Sequence, residues 1–271
     1  MLTFIKRLFN PPKPCGLGCI PSPKDDRDIP HKIDEYAKLA AGEGTQLPVN
    51  YSMADLIGPI LNQGNTNSCT GHAATYFMNC LISRTLNKRK ENFKLNPYFN
   101  YYWARYFSGM GTADNGAYLR GALKALAKKG VWVCNMWRTD QVPPKDYSDD
   151  SSTFKLKGYE YVYNRDNDSL KTVLAIEKLP LYISLNVIYD DINMYTGEIK
   201  AEDKFDNSKS SGYHAMCVIG YETRKDGVWY QTANSWGTVN FGDNGFAWIH
   251  ESYFKNPLLI TEIWTATKQY F

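Results

Sequence analysis

The residues best suited to covalent chemistry in this chain are a cysteine and a distant histidine. Cys69 follows Ser68 and begins an apolar pattern of helical period, so we predict that it lies at a helix N-terminus capped by Ser68. The helix N-terminus and a nearby imidazolium both lower the pKa of a thiol, which favours the nucleophilic thiolate. His214 precedes an apolar stretch and is the expected partner that exchanges a proton with Cys69.

Three further side chains fit the same chemistry. Asn234 is placed to orient the imidazole of His214, and Trp236 to cover the bond between them. Gln63, six positions before Cys69, is expected to stabilise an oxyanion together with the backbone N–H of Cys69. Each residue alone has an ordinary structural interpretation, but their order along the chain favours a catalytic one.

The remaining histidines are weaker candidates. His72 lies three positions after Cys69, on a neighbouring face of the predicted helix, so we interpret it as structural. His31 and His250 have no partner spacing and are interpreted as incidental. No cluster of histidine, cysteine and acidic residues has metal-ligand spacing, so neither a metal nor another cofactor is expected.

The order Gln, Ser-Cys-Thr, His and Asn-Ser-Trp-Gly resembles the papain-like cysteine peptidases (family C1), most closely their short microbial branch. The distance from Cys69 to His214 agrees with the separation of about 130–150 residues in papain-type enzymes. Other matching segments are Pro23-Lys-Asp-Asp-Arg-Asp28, Leu47-Pro48, Asp114-Asn-Gly-Ala-Tyr-Leu-Arg120 and Gly245-Phe-Ala-Trp248. The resemblance implies a two-lobed α+β fold, with a helical left lobe, an antiparallel β-rich right lobe and the active site in the cleft.

The resemblance also implies which residues bind a peptide or protein substrate. Asn115, Gly116 and Ala117 match the strip that pairs with the substrate backbone. Leu119 and Ala215 would line the pocket for the side chain second from the scissile bond, favouring an apolar residue there. Trp236 is counted with this group because it covers the site.

Four positions depart from the family pattern, and none is a catalytic position. Asn67 replaces the usual glycine and Thr70 the usual aromatic residue; Phe241 stands near the position of a second tryptophan, and Asp114 replaces a cysteine that often bridges this lobe.

The implied activity is that of a cysteine-type endopeptidase acting through a thioester acyl-enzyme. Two alternatives stay open at this point. One is a papain-fold binding or structural protein that no longer turns over, because fold alone does not establish activity. The other is an amidase or acyl transferase with the same triad.

Composition excludes several other classes. The 271-residue chain has a formal net charge of +3 with interspersed signs, which argues against nucleic-acid binding. No apolar run is long enough to span a membrane and no signal peptide is recognisable, so we expect a protein that is cytoplasmic by default and not membrane-bound. We also expect a monomer. If Cys69 is a nucleophile, an odd number of cysteines remains, which favours a reducing compartment. The sequence leaves the disulfide state of these five undetermined: Cys15, Cys19, Cys80, Cys134 and Cys217.

The chain divides into an arm and a globular domain. Residues 1–46 are rich in proline and read as an extended arm, either a short pro-segment in the cleft or a permanent belt. Residues 47–271 form the predicted peptidase domain, helical over about 55–150 and β-rich over about 155–271. Within it, the pattern predicts helices over 69–86, 98–106, 117–129 and 169–178, and strands over 159–163, 181–187, 214–221, 228–234 and 245–249.

Overall fold

A computed structural model describes residues 16–33, 47–87, 95–133, 154–202, 205–239 and 241–271. Three helices form one layer: α1 (Cys69–Thr85), α2 (Pro97–Phe107) and α3 (Leu119–Lys128). α1 is buried on nearly all sides, which explains its mixed apolar and small-residue sequence. α2 begins at Asn96, whose side chain accepts from the N–H groups of Tyr98 and Phe99, while α3 ends before Gly130, where φ is +73°.

The strands lie in one largely antiparallel sheet. Its strands are β1 (Cys19–Ile20), β2 (Asn50–Ser52), β3 (Ala117–Tyr118), β4 (Tyr159–Tyr161), β5 (Leu181–Asn186), β6 (Glu198–Ile199), β7 (Tyr213–Arg224), β8 (Gly227–Ala233), β9 (Phe246–His250) and β10 (Ile260–Ala266). The main order is β4-β10-β5-β7-β8-β9-β6, with β2 and β1 paired to β7. α1 packs against β7, so the core lies between the helices and the sheet. The α+β prediction is confirmed.

Most predicted elements are present, with local corrections. The helix predicted over 117–129 begins only at Leu119, because Ala117 and Tyr118 pair with the arm as β3. The helix predicted over 169–178 is α4 (Asn167–Lys171) followed by a π-helical turn over Thr172–Ile176. A short α5 (Glu251–Lys255) and β10 were not predicted.

Ser68 does occupy the N-cap position of α1, but its side chain does not cap the helix. Its hydroxyl instead lies 2.6 Å from Thr66 Oγ1 and 3.2 Å from His72 Nδ1. The predicted hydroxyl cap is therefore wrong, because local side-chain partners compete for the same oxygen. Cys15 and Cys134 lie outside the described residues. Cys80 and Cys217 are free and fully buried, as expected for small core residues.

Residues 16–33 of the arm cross the molecule in extended form. β1 pairs with β3 in parallel and with β7 in antiparallel orientation. Further along, Asp28 forms a bidentate ion pair with Arg120 of α3, at 2.5 and 2.8 Å. His31 then lies between the carboxylates of Glu160 and Glu177, at 2.6 and 2.7 Å. The arm thus contacts both the helices and the sheet.

Within the described ranges, no helix is both long and apolar enough to cross a membrane.

Candidate active site

His214 and Asn234 form a buried hydrogen-bonded pair at the centre of the sheet. His214 lies near the start of β7, and Asn234 directly follows β8, the neighbouring strand. His214 Nε2 lies 2.8 Å from Asn234 Oδ1. The same Oδ1 accepts from the backbone N–H of Ser235 at 2.7 Å, which identifies it as the amide oxygen. Nε2 must therefore carry the proton, and Nδ1 is the basic nitrogen.

The imidazole of His214 packs against the ring of Trp236, which in turn packs against Phe241. The rings of His214 and Trp236 are 4.8 Å apart between centroids, and Phe241 packs edge-on against Trp236 at 5.0 Å. His214, Asn234 and Trp236 are at most 3% exposed. This packing shields the bond between His214 and Asn234 from water. Phe241 supplies the second aromatic ring at this corner.

The sulfur of Cys69 lies beside the same strand. Cys69 is the first residue of α1, and the backbone N–H of Ala215, next to His214, interacts with its thiol. His214 Nδ1 is buried and has no hydrogen-bond partner among the described residues. His214 Nδ1 and the Cys69 thiol thus both lie beside the start of β7, and both are buried.

The expected lowering of the thiol pKa is not found in this state. Burial raises the pKa of Cys69 to about 11, against the opposing effect of backbone N–H groups from Ala215, Gly18, Thr70 and Cys69. Burial also lowers the pKa of His214 to about 4, although the hydrogen bond that His214 donates to Asn234 opposes it. Both groups are consequently neutral, because desolvation outweighs these hydrogen bonds.

Gln63 is buried and is fixed by hydrogen bonds to the Asn-Ser-Trp-Gly segment. Its Oε1 accepts from the Ser235 hydroxyl at 2.6 Å, and its backbone N–H donates to the Ser235 carbonyl at 2.9 Å. Its Nε2 donates to the backbone carbonyls of Gly16 at 2.9 Å and Thr66 at 2.7 Å. The side-chain amide of Gln63 therefore already holds a carbonyl oxygen, and that oxygen belongs to the arm.

The arm covers the predicted substrate strip. Cys19 lies between Ala117 on one side and Tyr213 on the other, and the N–H of Ala117 donates to the carbonyl of Gly18 at 2.9 Å. Gly116, at φ +86°, packs so closely on Gly18 that a Cβ would lie 2.3 Å from the Gly18 oxygen. Two of the three strip residues are thus engaged by the chain's own backbone.

The remaining predicted substrate-binding residues and the other histidines have the following environments. Asn115 is exposed, and Leu119 is fully buried at the start of α3. His72 is buried with Nδ1 2.9 Å from the carbonyl of Ser68, so its structural interpretation agrees with its contacts. His31 and His250, interpreted as incidental to catalysis, both make structural contacts. His31 links two carboxylates, and His250 is the N-cap of α5, bonded to Ser252.

Asp114 holds the loop before Cys69 by hydrogen bonds. Its carboxylate accepts from the backbone N–H of Asn67 at 3.1 Å and from the Tyr101 hydroxyl at 2.6 Å. The side-chain amide of Asn67 donates to the Asp114 carbonyl at 2.7 Å. Asn67 and Asp114 are thus hydrogen-bonded to each other through both side chains.

Sequence reasoning missed several residues that shape the site. Ser235 positions Gln63, and its place inside the Asn-Ser-Trp-Gly segment was the available signal. Tyr76 binds the carbonyl of Asn234 at 3.0 Å, and Tyr182 that of Thr70 at 2.9 Å; a lone tyrosine in a core element gave no such signal. In the described part of the chain, no group of histidine, cysteine and acidic residues could hold a metal ion.

Comparisons with known proteins agree with this geometry. The family model for the papain family cysteine protease matches residues 48–262. The crystal structure of xylellain, a cysteine protease from Xylella fastidiosa, superposes with a TM-score of 0.72 at 25% identity, covering 94% of this chain and 97% of that one. Digestive procathepsin L2 of Tenebrio molitor gives 0.69 at 18% identity, covering 93% and 78%.

Curated sequences give more distant relatives. An uncharacterised peptidase C1-like protein of Acanthamoeba polyphaga mimivirus is 22% identical over 219 residues, which cover 75% of this chain and 68% of the relative. A cathepsin L-like peptidase of Aedes aegypti is 22% identical over 225 residues, covering 79% of this chain and 62% of the relative. Because the family model spans most of the chain, the protein belongs to the papain family of cysteine proteases.

Proposed function

We propose that the protein is a cysteine endopeptidase in which Cys69, His214 and Asn234 form the triad and Gln63 serves the oxyanion. The observation that carries this proposal is the fixed tautomer of His214. Its Nε2–H is committed to Asn234 Oδ1, and its Nδ1 is left buried and unpartnered within the described structure, beside the strand residue that contacts the Cys69 thiol. A structural histidine in such a core would use both nitrogens.

The proposed reaction runs in two steps. The Cys69 thiol gives its proton to His214 Nδ1, and the sulfur attacks the peptide carbonyl carbon. The carbonyl oxygen takes the negative charge and accepts from Gln63 Nε2 and the backbone N–H of Cys69. Nδ1–H then protonates the departing amine, leaving a thioester. Water, deprotonated by Nδ1, releases the acid and regenerates the thiol.

We also propose that residues 1–46 act as a covering segment rather than as a belt needed for folding. Three contacts support this: Gly18 lies against the thiol of Cys69, the Gly16 carbonyl accepts from Gln63, and Cys19 pairs with the strip residue Ala117. A peptide carbonyl and the arm therefore compete for the same donor. Displacing the arm would admit water, which favours the charged forms of Cys69 and His214.

A peptide library with mass-spectrometric detection tests the activity. We expect new cleavage products with the wild-type chain and none with Cys69→Ala. Cys80→Ala is the matched control, because Cys80 is an equally buried thiol on the same helix but points to no site residue of this proposal. Cleavage products from Cys69→Ala would refute the proposed peptidase activity. So would the absence of products from the wild type under conditions in which iodoacetamide alkylates Cys69.

A further inference from the structure

The predicted substrate strip, residues 115–117, has backbone N–H groups that point to opposite sides. The N–H of Ala117 donates to the Gly18 carbonyl of the arm at 2.9 Å, at the position that a substrate backbone is proposed to take. The N–H of Gly116, one residue earlier, donates at 3.0 Å to the hydroxyl of Tyr101, which lies behind the strip on α2. Because the two groups belong to neighbouring residues of one backbone, the direction of the outer donor depends on what holds the inner one.

Gly116 needs such a contact, because a glycine backbone has many alternative conformations. Its φ is +86°, a region that glycine adopts readily and that residues with a side chain seldom adopt. The packing of Gly116 on Gly18 is lost when a substrate replaces the arm, whereas its bond to Tyr101 remains. The Tyr101 hydroxyl therefore holds the strip both with the arm in place and after a peptide has replaced it.

The same hydroxyl connects the strip to the loop before the nucleophile. Because the N–H of Gly116 can only donate, the hydroxyl accepts there, and its own hydrogen is donated to Asp114 Oδ1 at 2.6 Å. The Asp114 carboxylate also accepts from the backbone N–H of Asn67 at 3.1 Å, two residues before Cys69. Three consecutive hydrogen bonds thus join the strip to the loop that leads into α1.

Tyr101 is itself held firmly on two sides. Arg105, one turn later on α2, lies with its guanidinium 4.4 Å from the centre of the Tyr101 ring and donates to the Ala113 carbonyl at 2.8 Å. On the other side, α2 packs closely on α1, since a Cβ added at Gly71 would lie 2.8 Å from Tyr101 Cβ. Both Tyr101 and Arg105 are completely buried. The hydroxyl is therefore fixed relative to the helix that begins with the nucleophile.

We propose that Tyr101 is a positioning residue for substrate binding. Its hydroxyl holds Gly116 so that the N–H of Ala117 is directed at the substrate backbone, and through Asp114 it keeps the strip in register with the loop before Cys69. This inference rests on the proposed function, since the strip matters only if a peptide binds along it. Tyr101 does not touch the substrate and acts only through Gly116 and Asp114.

Labelling of Cys69 by two compounds with the same reactive group tests this role without requiring turnover. Benzyloxycarbonyl-phenylalanyl-alanyl chloromethyl ketone carries a peptide backbone that can pair with the strip, whereas chloroacetone carries none. Both compounds need the arm to move aside, so the ratio of their second-order rate constants, followed by mass spectrometry, does not depend on how often the arm opens. In Tyr101→Phe, which removes one oxygen, we expect this ratio to fall at least about tenfold, the usual effect of leaving a buried hydrogen-bonding group without its partner.

Tyr253→Phe is the matched control. Tyr253 is also completely buried, and its hydroxyl also donates to an aspartate, Asp191, at 2.6 Å. It lies on α5, and Asp191 belongs neither to the strip nor to the loop before Cys69. Tyr253→Phe should therefore lower the free energy of unfolding much as Tyr101→Phe does, while it leaves the ratio of the two labelling rates unchanged.

The outcomes separate the positioning role from the activity. A ratio that falls no further in Tyr101→Phe than in Tyr253→Phe would overturn the inference. So would a wild-type chain in which chloroacetone labels Cys69 but the peptidyl compound does not. If Tyr101→Phe does not fold, Asp114→Asn decides, because it keeps the side-chain shape but weakens the bond to the Tyr101 hydroxyl. An unchanged ratio in that chain overturns the inference.

Cleavage of a peptide by the wild type tests the proposed function separately. If the labelling ratio falls as expected but no peptide is cleaved, the positioning role stands and the proposed activity fails. With a peptide that is cleaved, Tyr101→Phe should raise KM by more than it lowers kcat, because the strip acts on binding and the triad is intact.

Discussion

Two segments meet at the sulfur of Cys69, and they are held in place by different kinds of contact. β7, which brings Ala215 and His214, is a long central strand paired with both β5 and β8 and buried over most of its length. The arm brings Gly18 to the same sulfur through β1, a strand of only two residues. Beyond β1, the arm is fastened mainly by polar groups, namely Ser22, Asp28 and His31.

We therefore call β7 the permanent segment at Cys69 and residues 16–31 of the arm the replaceable segment. Elements with few buried apolar contacts open locally at a smaller free-energy cost than core strands do. Removing β7 would dissolve the sheet, whereas detaching residues 16–31 breaks hydrogen bonds that water or a peptide can replace. We therefore expect substitutions on the two segments to have distinguishable effects on hydrolysis and on access to Cys69.

Gln63 contacts the arm at Gly16 and the segment after β8 at Ser235, and it gives the largest expected effect. It is proposed to stabilise the oxyanion, and it also holds the Gly16 carbonyl of the arm. In Gln63→Ala, we expect peptide hydrolysis to fall by about 10²–10³, as for the loss of one oxyanion donor. Alkylation of Cys69 by iodoacetamide, which needs no oxyanion donor, should become faster because the arm has lost a contact.

Slower peptide hydrolysis together with faster alkylation of Cys69 would show that Gln63 both serves the oxyanion and holds the arm. Gln231→Ala is the matched control, since Gln231 lies on β8 and bonds to Ser52, away from the cleft. Parallel loss of both rates would mean that the substitution only disturbs the loop before Cys69. Unchanged hydrolysis would remove Gln63 from the proposed machinery.

The candidate site residues were easier to predict from the sequence than the contacts of the arm. Cys69, His214, Asn234 and Gln63 stand in segments whose spacing can be read directly, and the helices and strands that carry them follow from hydrophobic periodicity. In the structure, His214 is hydrogen-bonded to Asn234, the Cys69 thiol contacts Ala215, and Gln63 is held by Ser235. Ser235 was accessible in the same way, because it stands inside the segment that supplies Asn234.

The replaceable segment was predicted only as an extended arm. Its partners are far away in sequence: Cys19 meets Ser184, and Ser22 meets Glu262. Such pairings depend on which strands become neighbours, and local pattern does not encode that. The pKa of Cys69 was mispredicted for a related reason, since the helix N-terminus is visible in sequence but the complete burial of the thiol is not.

Gly18 offers a way to detach the arm alone. A Cβ added at Gly18 would lie 1.8 Å from the backbone oxygen of Asn67, a contact that neither chain segment can relieve with a side-chain rotation. Overpacking of this kind costs about 1–3 kcal/mol, so Gly18→Ala should raise the population with a detached arm by about 5- to 150-fold. We expect Cys69, which is fully buried in the closed state, to be alkylated faster by that factor.

The control is Lys24→Ala, another substitution in the arm, at a side chain that is 93% exposed. It should leave the alkylation rate of Cys69 unchanged. If Gly18→Ala alkylates no faster than Lys24→Ala, the arm does not limit access to the thiol, and the covering role proposed for residues 1–46 is wrong.

His31 gives the smallest effect and the one that depends on pH. Burial pulls the pKa of His31 down, but the hydrogen bonds to Glu177 and Glu160 outweigh it and raise the pKa above the usual value of about 6.5. A raised folded-state pKa means that the ion pairs stabilise the fold fully below about pH 6.5 and are lost as pH rises through the folded-state value. His31→Gln should therefore lower the free energy of unfolding by about 1–2 kcal/mol at pH 6 and by less at pH 9.

Urea unfolding of both chains between pH 6 and pH 9 measures this difference. His250→Gln is the matched control, because His250 bonds to the Ser252 hydroxyl and to the backbone carbonyl of Asp226 rather than to two carboxylates. The ratio of the Cys69 alkylation rate in the wild type to that in His31→Gln should rise from pH 6 to pH 9 if the arm docks through His31. The reason is that the wild-type chain loses the ion pairs of His31 over this interval. A difference in unfolding free energy that stays constant from pH 6 to pH 9 would show that His31 contributes packing and not charge.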